Sequence, residues 1–136
     1  DALTLPLWLL EVVASYVSLL NGCAYSHKHH WANARRLIGD EVRADEIEIA
    51  LKSRAPDKAF EGKELALLRY ATKLTQQCAA MNRADWDLLE AAGCDHGEIL
   101  EVNQVTGYFN YVNRHLNGLG VTTEGDVIGY YAEDGA

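Results

Sequence analysis

"TLPLWLLEVVASYVSLLNGCAYSHKHHW", residues 4–31, decides how this chain is read. Thr4 ahead of Leu5-Pro6 predicts a helix start, with Thr as N-cap and Pro in the first turn. The helix should run to Asn21-Gly22, a pair that stops helices. Nearly every face of it is apolar, which predicts burial on most sides. Its polar residues, Glu11, Ser15 and Ser18, fall at i, i+4 and i+7 and form one narrow stripe. As a targeting segment the run fails, because no basic region precedes it and Glu11 interrupts the apolar residues.

A second helix is predicted from Cys23 to Ile38, with Gly39 just beyond its end. On it Cys23, Ser26, His27 and His30 share one stripe, while Lys28 and His29 point elsewhere. Cys23 stands at the helix N-terminus, where free N–H groups and the positive dipole end favour a thiolate. His30 lies one turn after Ser26, a spacing that suits proton exchange with a hydroxyl or thiol. Glu11 is a carboxylate on an apolar helix, costly to ionise and therefore a candidate for moving protons. A straight hairpin of the two helices leaves Glu11 some way from Cys23, so contact needs a favourable crossing. Its structural alternative is an ion pair with an arginine such as Arg114. Tyr25, His27 and Trp31 are candidates for lining a small pocket beside the thiol. Cys23, His27, His30 and Glu11 are metal-ligating residue types, but three ligands on one helical stripe rarely converge on an ion. No metal and no bound cofactor is expected.

Outward from this segment the chain continues as helices. Residues 44–53 form a short amphipathic stretch closed by "RAPD", and 62–78 give about four turns. Asn82 with Asp85 opens a further helix that Gly93 ends. Asp95 and Glu98 bracket the start of a long one in capping-box fashion, running to about Asn117. "NGLGV" breaks it, and residues 121–136 form a Gly-rich acidic tail. With no repeat, linker or convincing strand, the reading is an all-α bundle of about six helices in a single domain over 1–136.

Bulk properties narrow the function. A net charge of −8 argues against nucleic-acid binding, which runs on clustered Lys and Arg. The first helix reads as a core element, so no membrane partner is expected. Three cysteines, Cys23, Cys78 and Cys94, with no Cys-x-x-Cys among them, point to a reducing, cytoplasmic setting. Packing is the expected role of Cys78 and Cys94. Asn110, Asn113 and Arg114 are read as structural polar groups crossing an interface.

Glu11, the run Asn21-Gly22-Cys23-Ala24-Tyr25-Ser26, and His30 together resemble the core motif of the alkylhydroperoxidase D-like, or carboxymuconolactone decarboxylase, superfamily. That motif places a Glu ahead of a Cys-x-x-Cys and a His four residues after its second Cys. "KELALLRYATKLT", "LLEAAGCDHGEILEV" and "FNYVNRHLNGLGV" resemble later segments of its peroxidase-related branch, so the likeness spans residues 8–121. It implies an alkylhydroperoxidase D-like fold and thiol-dependent reduction of small hydroperoxides by an external thiol. It gives Glu11 and His30 the proton relay and Cys23 a redox thiol. It also implies a homo-oligomer, a trimer or hexamer, which the apolar first helix would support if a lone chain left it uncovered.

The second redox cysteine of the motif is Ser26 here. A hydroxyl neither becomes a sulfenic acid nor closes a disulfide, so the two-cysteine cycle is impaired as the chain is written. Ser26 fits both a divergent member and a Cys→Ser exchange. The alternative reading is a non-redox acid–base lyase, decarboxylase or isomerase using His and Glu. A third is a non-catalytic protein that keeps the fold for its contacts.

Overall fold

The computed structural model describes residues 4–129, so residues 1–3 and the last part of the tail, 130–136, lie outside the described residues. Six α-helices follow one another: α1 Leu7–Leu20, α2 Ala24–Ile38, α3 Glu41–Lys52, α4 Gly62–Gln76, α5 Arg83–Ala91 and α6 His96–Leu119. Short 3-10 turns at Pro56–Lys58 and Cys78–Ala80 join α3 to α4 and α4 to α5. No strand occurs among the described residues.

α1 is the hub. It packs against α2, α4 and α6, and every residue from Leu9 to Ser18 is buried. Burying each Val or Leu of that run stabilises the fold by about 1.5–3 kcal/mol. The chain itself covers this helix, so uncovered apolar surface on α1 gives no argument for an oligomer. Apart from Leu7 at its first position, the large exposed apolar side chains lie elsewhere, with Tyr108, Tyr111 and Leu119 on α6 among them. Among the described residues no helix is long and apolar enough to cross a membrane.

Local chemistry explains the element ends. At the close of α1 the Cys23 N–H donates to Ser18 O at 2.9 Å and the Gly22 N–H to Leu19 O at 3.1 Å. This paired closure needs a left-handed residue between, and Gly22 supplies it at φ +65°. The turn leaves Cys23 as the N-cap residue of α2. Capping boxes start α5 (Asn82, Asp85) and α6 (Asp95, Glu98).

Three sequence expectations shift. Thr4 does not cap α1. Pro6 stands at its N-cap, and the Thr4 and Leu5 N–H groups donate to the Glu101 carboxylate on α6. α3 begins at Glu41, earlier than 44, because Asp40 accepts from the Arg43 N–H and caps it. Cys78 is exposed on its 3-10 turn rather than packed, because α4 ends at Gln76 and releases the chain before it. Cys94 is buried within the apolar core.

A buried polar spine ties α6 to α1 and its closing turn. The Asn113 amide, fully buried on α6, donates to Ser18 Oγ at 3.0 Å and accepts from Asn21 Nδ2 at 3.0 Å. Asn21 Nδ2 also donates to Asn110 Oδ1, and Arg114 donates to the same oxygen at 2.9 Å. Arg114 thus serves Asn110 on its own helix and is not the partner of Glu11. Asn113→Ala removes both links and leaves Ser18 and Asn21 short of partners. It should cost about 2–3 kcal/mol, read as a lower urea midpoint at unchanged m-value.

Candidate functional site

The two polar stripes face each other across the α1–α2 hairpin. Moving away from the turn, Ser18 meets Ser26, Ser15 meets His27, and Glu11 meets His30. The antiparallel register carries the first-helix stripe past the second in order, which is why Glu11 arrives at His30 rather than at Cys23.

Glu11 Oε2 and His30 Nδ1 are 2.6 Å apart, a short charge-assisted contact between a buried carboxylate and a nearly buried imidazole. Phe109 of α6 packs edge-on against the His30 ring, with centroids 4.5 Å apart. The pair is therefore held by three helices and sealed on one side by an aromatic ring.

Ser26 is buried and occupied. Its Oγ lies 2.8 Å from Ser18 Oγ, which is also 2.8 Å from Ala14 O and 3.0 Å from Asn113 Nδ2. Ser18 has one hydroxyl proton, and the Ala14 carbonyl can only accept it. Asn113 donates, so the remaining bond is satisfied when Ser26 donates its own proton to Ser18. All three hydrogen-bonding positions of Ser18 are then filled. Position 26 acts as a strut between α2 and the Asn113 spine.

Cys23 is also buried, and it borders a small cavity of about 180 Å³ together with Ser18, Leu19, Gly22, Ala24 and His27. His27 is the imidazole that shares these walls. Tyr25 and Trp31 do not line this cavity. The Tyr25 ring sits 4.7 Å from that of His29, and Trp31 packs under the Arg35 guanidinium. His29, on the other face of α2, accepts the Gly129 N–H at 3.0 Å, so the described part of the tail returns along α2. Cys94 is pushed up by burial and by the Glu98 charge, which keeps it a protonated packing thiol.

Among the described residues no group of three His, Cys, Asp or Glu side chains is arranged to hold a metal ion. His27 and His30 turn toward different partners on α1, which separates the ligand types that the sequence places on one stripe. Ser15, Ser18 and Asn113 were not among the expected site residues. The spacing of the α1 polar stripe was the available signal for the two serines. Nothing local marks Asn113, which reaches the site from the far end of the chain.

A scan against protein-family models finds no match, and neither does a search of the curated proteins. Solved structures do match. An uncharacterized peroxidase-related protein from Silicibacter sp. TM1040 superposes with a TM-score of 0.76 at 28% identity, over 88% of this chain and 61% of that one. An alkylhydroperoxidase AhpD core, an uncharacterized peroxidase-related protein from Ralstonia eutropha JMP134, gives 0.76 at 21% identity, over 87% and 60%. The apo form of a debrominase gives 0.73 at 18% identity, over 89% and 62%. The chain has the alkylhydroperoxidase D-like all-α fold, and it spans about three fifths of the length of these proteins.

Burial pushes the His27 imidazole below its ordinary value of 6.5, against a smaller upward pull from its bond to the Ser15 backbone. The unfolded chain therefore binds this proton at a higher pH than the folded one. The stability carried by the neutral ring is complete above 6.5 and is lost as pH falls through the lowered folded value. Urea midpoints measured from about pH 7.5 to about pH 5 should fall more steeply for the unaltered chain than for His27→Gln.

Proposed function

We propose that this protein is a thiol-dependent hydroperoxide reductase of the peroxidase-related kind, altered at its second redox position. The observation that carries the reading is the 2.6 Å Glu11–His30 pair, positioned one helical turn from residue 26. It is supported by the 28% identity to a peroxidase-related protein over 88% of the chain. In a two-cysteine cycle, a thiolate at position 26 attacks the peroxide with the carboxylate–imidazole pair handling protons, and Cys23 resolves the sulfenic acid as a disulfide. Ser26 lacks that chemistry and is engaged by Ser18.

As written, the reaction runs at Cys23 alone. The thiolate attacks one peroxide oxygen, an S–O bond forms, the O–O bond breaks, and the departing alkoxide takes a proton to leave as an alcohol. Two equivalents of an external thiol then reduce the sulfenic acid, releasing water and a disulfide.

A second reading is favoured by one observation: the Glu11–His30 pair is complete without sulfur. On that reading the site is an acid–base lyase or isomerase. The debrominase neighbour supports this only to the extent that the fold hosts more than one chemistry. One experiment separates the two. Ser26→Cys should raise dithiol-dependent hydroperoxide consumption by about tenfold or more, and Cys23→Ala should abolish it. Failure of Ser26→Cys to gain activity, in a folded protein with a free thiol at position 26, counts against the peroxidase reading.

We further propose a cytoplasmic homo-oligomer, a trimer or hexamer, with the exposed Tyr108, Tyr111 and Leu119 of α6 supplying apolar contact surface. Light scattering on the full chain should give a mass at a multiple of 15.1 kDa, and a monomer at micromolar concentration overturns it.

A further inference from the structure

We propose that Cys23 and His27 form a nucleophile–base pair, oriented by Ser15, in the small cavity at the start of α2. This deepens the preceding reading by assigning the base that serves a lone Cys23. It rests on Cys23 being the reactive thiol and not on a hydroperoxide being the substrate.

The geometry selects His27 from the imidazoles of α2. His30 is taken by Glu11 and packed by Phe109, and His29 faces Tyr25 and the tail. His27 stands one turn after Cys23 on the same face, and its backbone N–H donates to the Cys23 carbonyl at 3.0 Å. Both residues border the same 180 Å³ cavity, whose other walls are Ser18, Leu19, Gly22 and Ala24.

The tautomer follows from Ser15. His27 Nδ1 lies 3.1 Å from the Ser15 carbonyl and 3.0 Å from Ser15 Oγ. A carbonyl oxygen only accepts, and a nitrogen lone pair aimed at it would repel. Nδ1 therefore carries the proton, and Nε2 keeps its lone pair. Burial holds the ring neutral, so Nε2 is a base at neutral pH. The charged groups whose fields reach the ring are Glu48 and Lys52 of α3 and Arg54 just beyond it.

The step moves the Sγ proton to Nε2, giving a thiolate and an imidazolium whose Nδ1–H stays bound to Ser15. With a hydroperoxide the thiolate forms the S–O bond, the O–O bond breaks, and the imidazolium returns the proton to the leaving alkoxide. With iodoacetamide the thiolate forms an S–C bond and releases iodide. His27 is the catalytic base, and Ser15 is a positioning residue that acts through it.

The test is site-resolved alkylation of the folded full chain by iodoacetamide, with the Cys23, Cys78 and Cys94 peptides quantified by mass spectrometry across pH. In the unaltered chain the Cys23 rate should rise as the His27 imidazole loses its proton, below its ordinary value of 6.5, a step that exposed Cys78 lacks. His27→Gln and His27→Asn should slow Cys23 at pH 7 by about tenfold or more without changing Cys78. The Asn variant can keep a donor toward Ser15 but supplies no base. Ser15→Ala should move the Cys23 pH profile toward that of Cys78. Faster labelling of buried Cys94 identifies a variant that has unfolded, and the profile of the unaltered chain then decides by itself.

A Cys23 profile that coincides with that of Cys78, a Cys23 that never labels in the folded chain, or a rate within about twofold in folded His27 variants overturns the assignment. Dependence of Cys23 labelling on His27 without hydroperoxide consumption removes the peroxidase reading and leaves this pair standing.

Discussion

Three polar contacts inside the α1–α2 hairpin hold the rest of this structure in place. Ser18 with Ser26, Ser15 with His27 and Glu11 with His30 are made between a nearly all-apolar α1 and α2. A buried polar group left without a partner costs about 1–3 kcal/mol, so these contacts act chiefly by excluding other registers. Sliding one helix by a single residue turns its stripe by about 100° and breaks all three at once. Apolar packing alone would tolerate several such slips. The closure at Gly22 sets where the hairpin turns, and the paired stripes set how its arms align.

That constraint also decides what each half of the site can do. The carboxylate and His30 are far enough from the turn to be backed by Phe109 of α6, which shields them from water and strengthens their contact. Cys23 lies at the turn itself, where His27 lines the same cavity. Ser26, on the turn side of the Ser15–His27 contact, is spent as a strut toward Ser18 and, through it, Asn113. A sulfur at that position would be larger and a poorer hydrogen-bonding partner than the hydroxyl. The polar spine suits oxygen at residue 26, so the Ser26 site is built into the helix packing as well as into the chemistry.

The fold places these residues but does not by itself name a reaction. Proteins of the same architecture include peroxidase-related chains and a debrominase, and each is longer than this one. In this chain one carboxylate is paired with one imidazole, Glu11 with His30, and the thiol at the turn shares a cavity with a second imidazole, His27. The two groups sit on the same hairpin and hold different imidazoles. A reaction at either could proceed without the other.

Sequence alone determined what depends on near neighbours. The capping boxes at Asn82–Asp85 and Asp95–Glu98, the stop at Gly22, and the stripes on α1 and α2 are matters of helical period and short side-chain reach, so they are legible in order along the chain. So was the buried character of α1, because few faces of it are polar. The tertiary structure decided the partners. Glu11 found His30 and left Arg114 to Asn110, His27 turned to Ser15, and Asn113 arrived from ninety-five residues away to complete Ser18. Cys78 fell outside the core because α4 stopped short of it, and Thr4 gave up its cap because Glu101 of α6 offered a carboxylate. Such choices turn on the register and crossing of helices distant in sequence, and no local spacing encodes them.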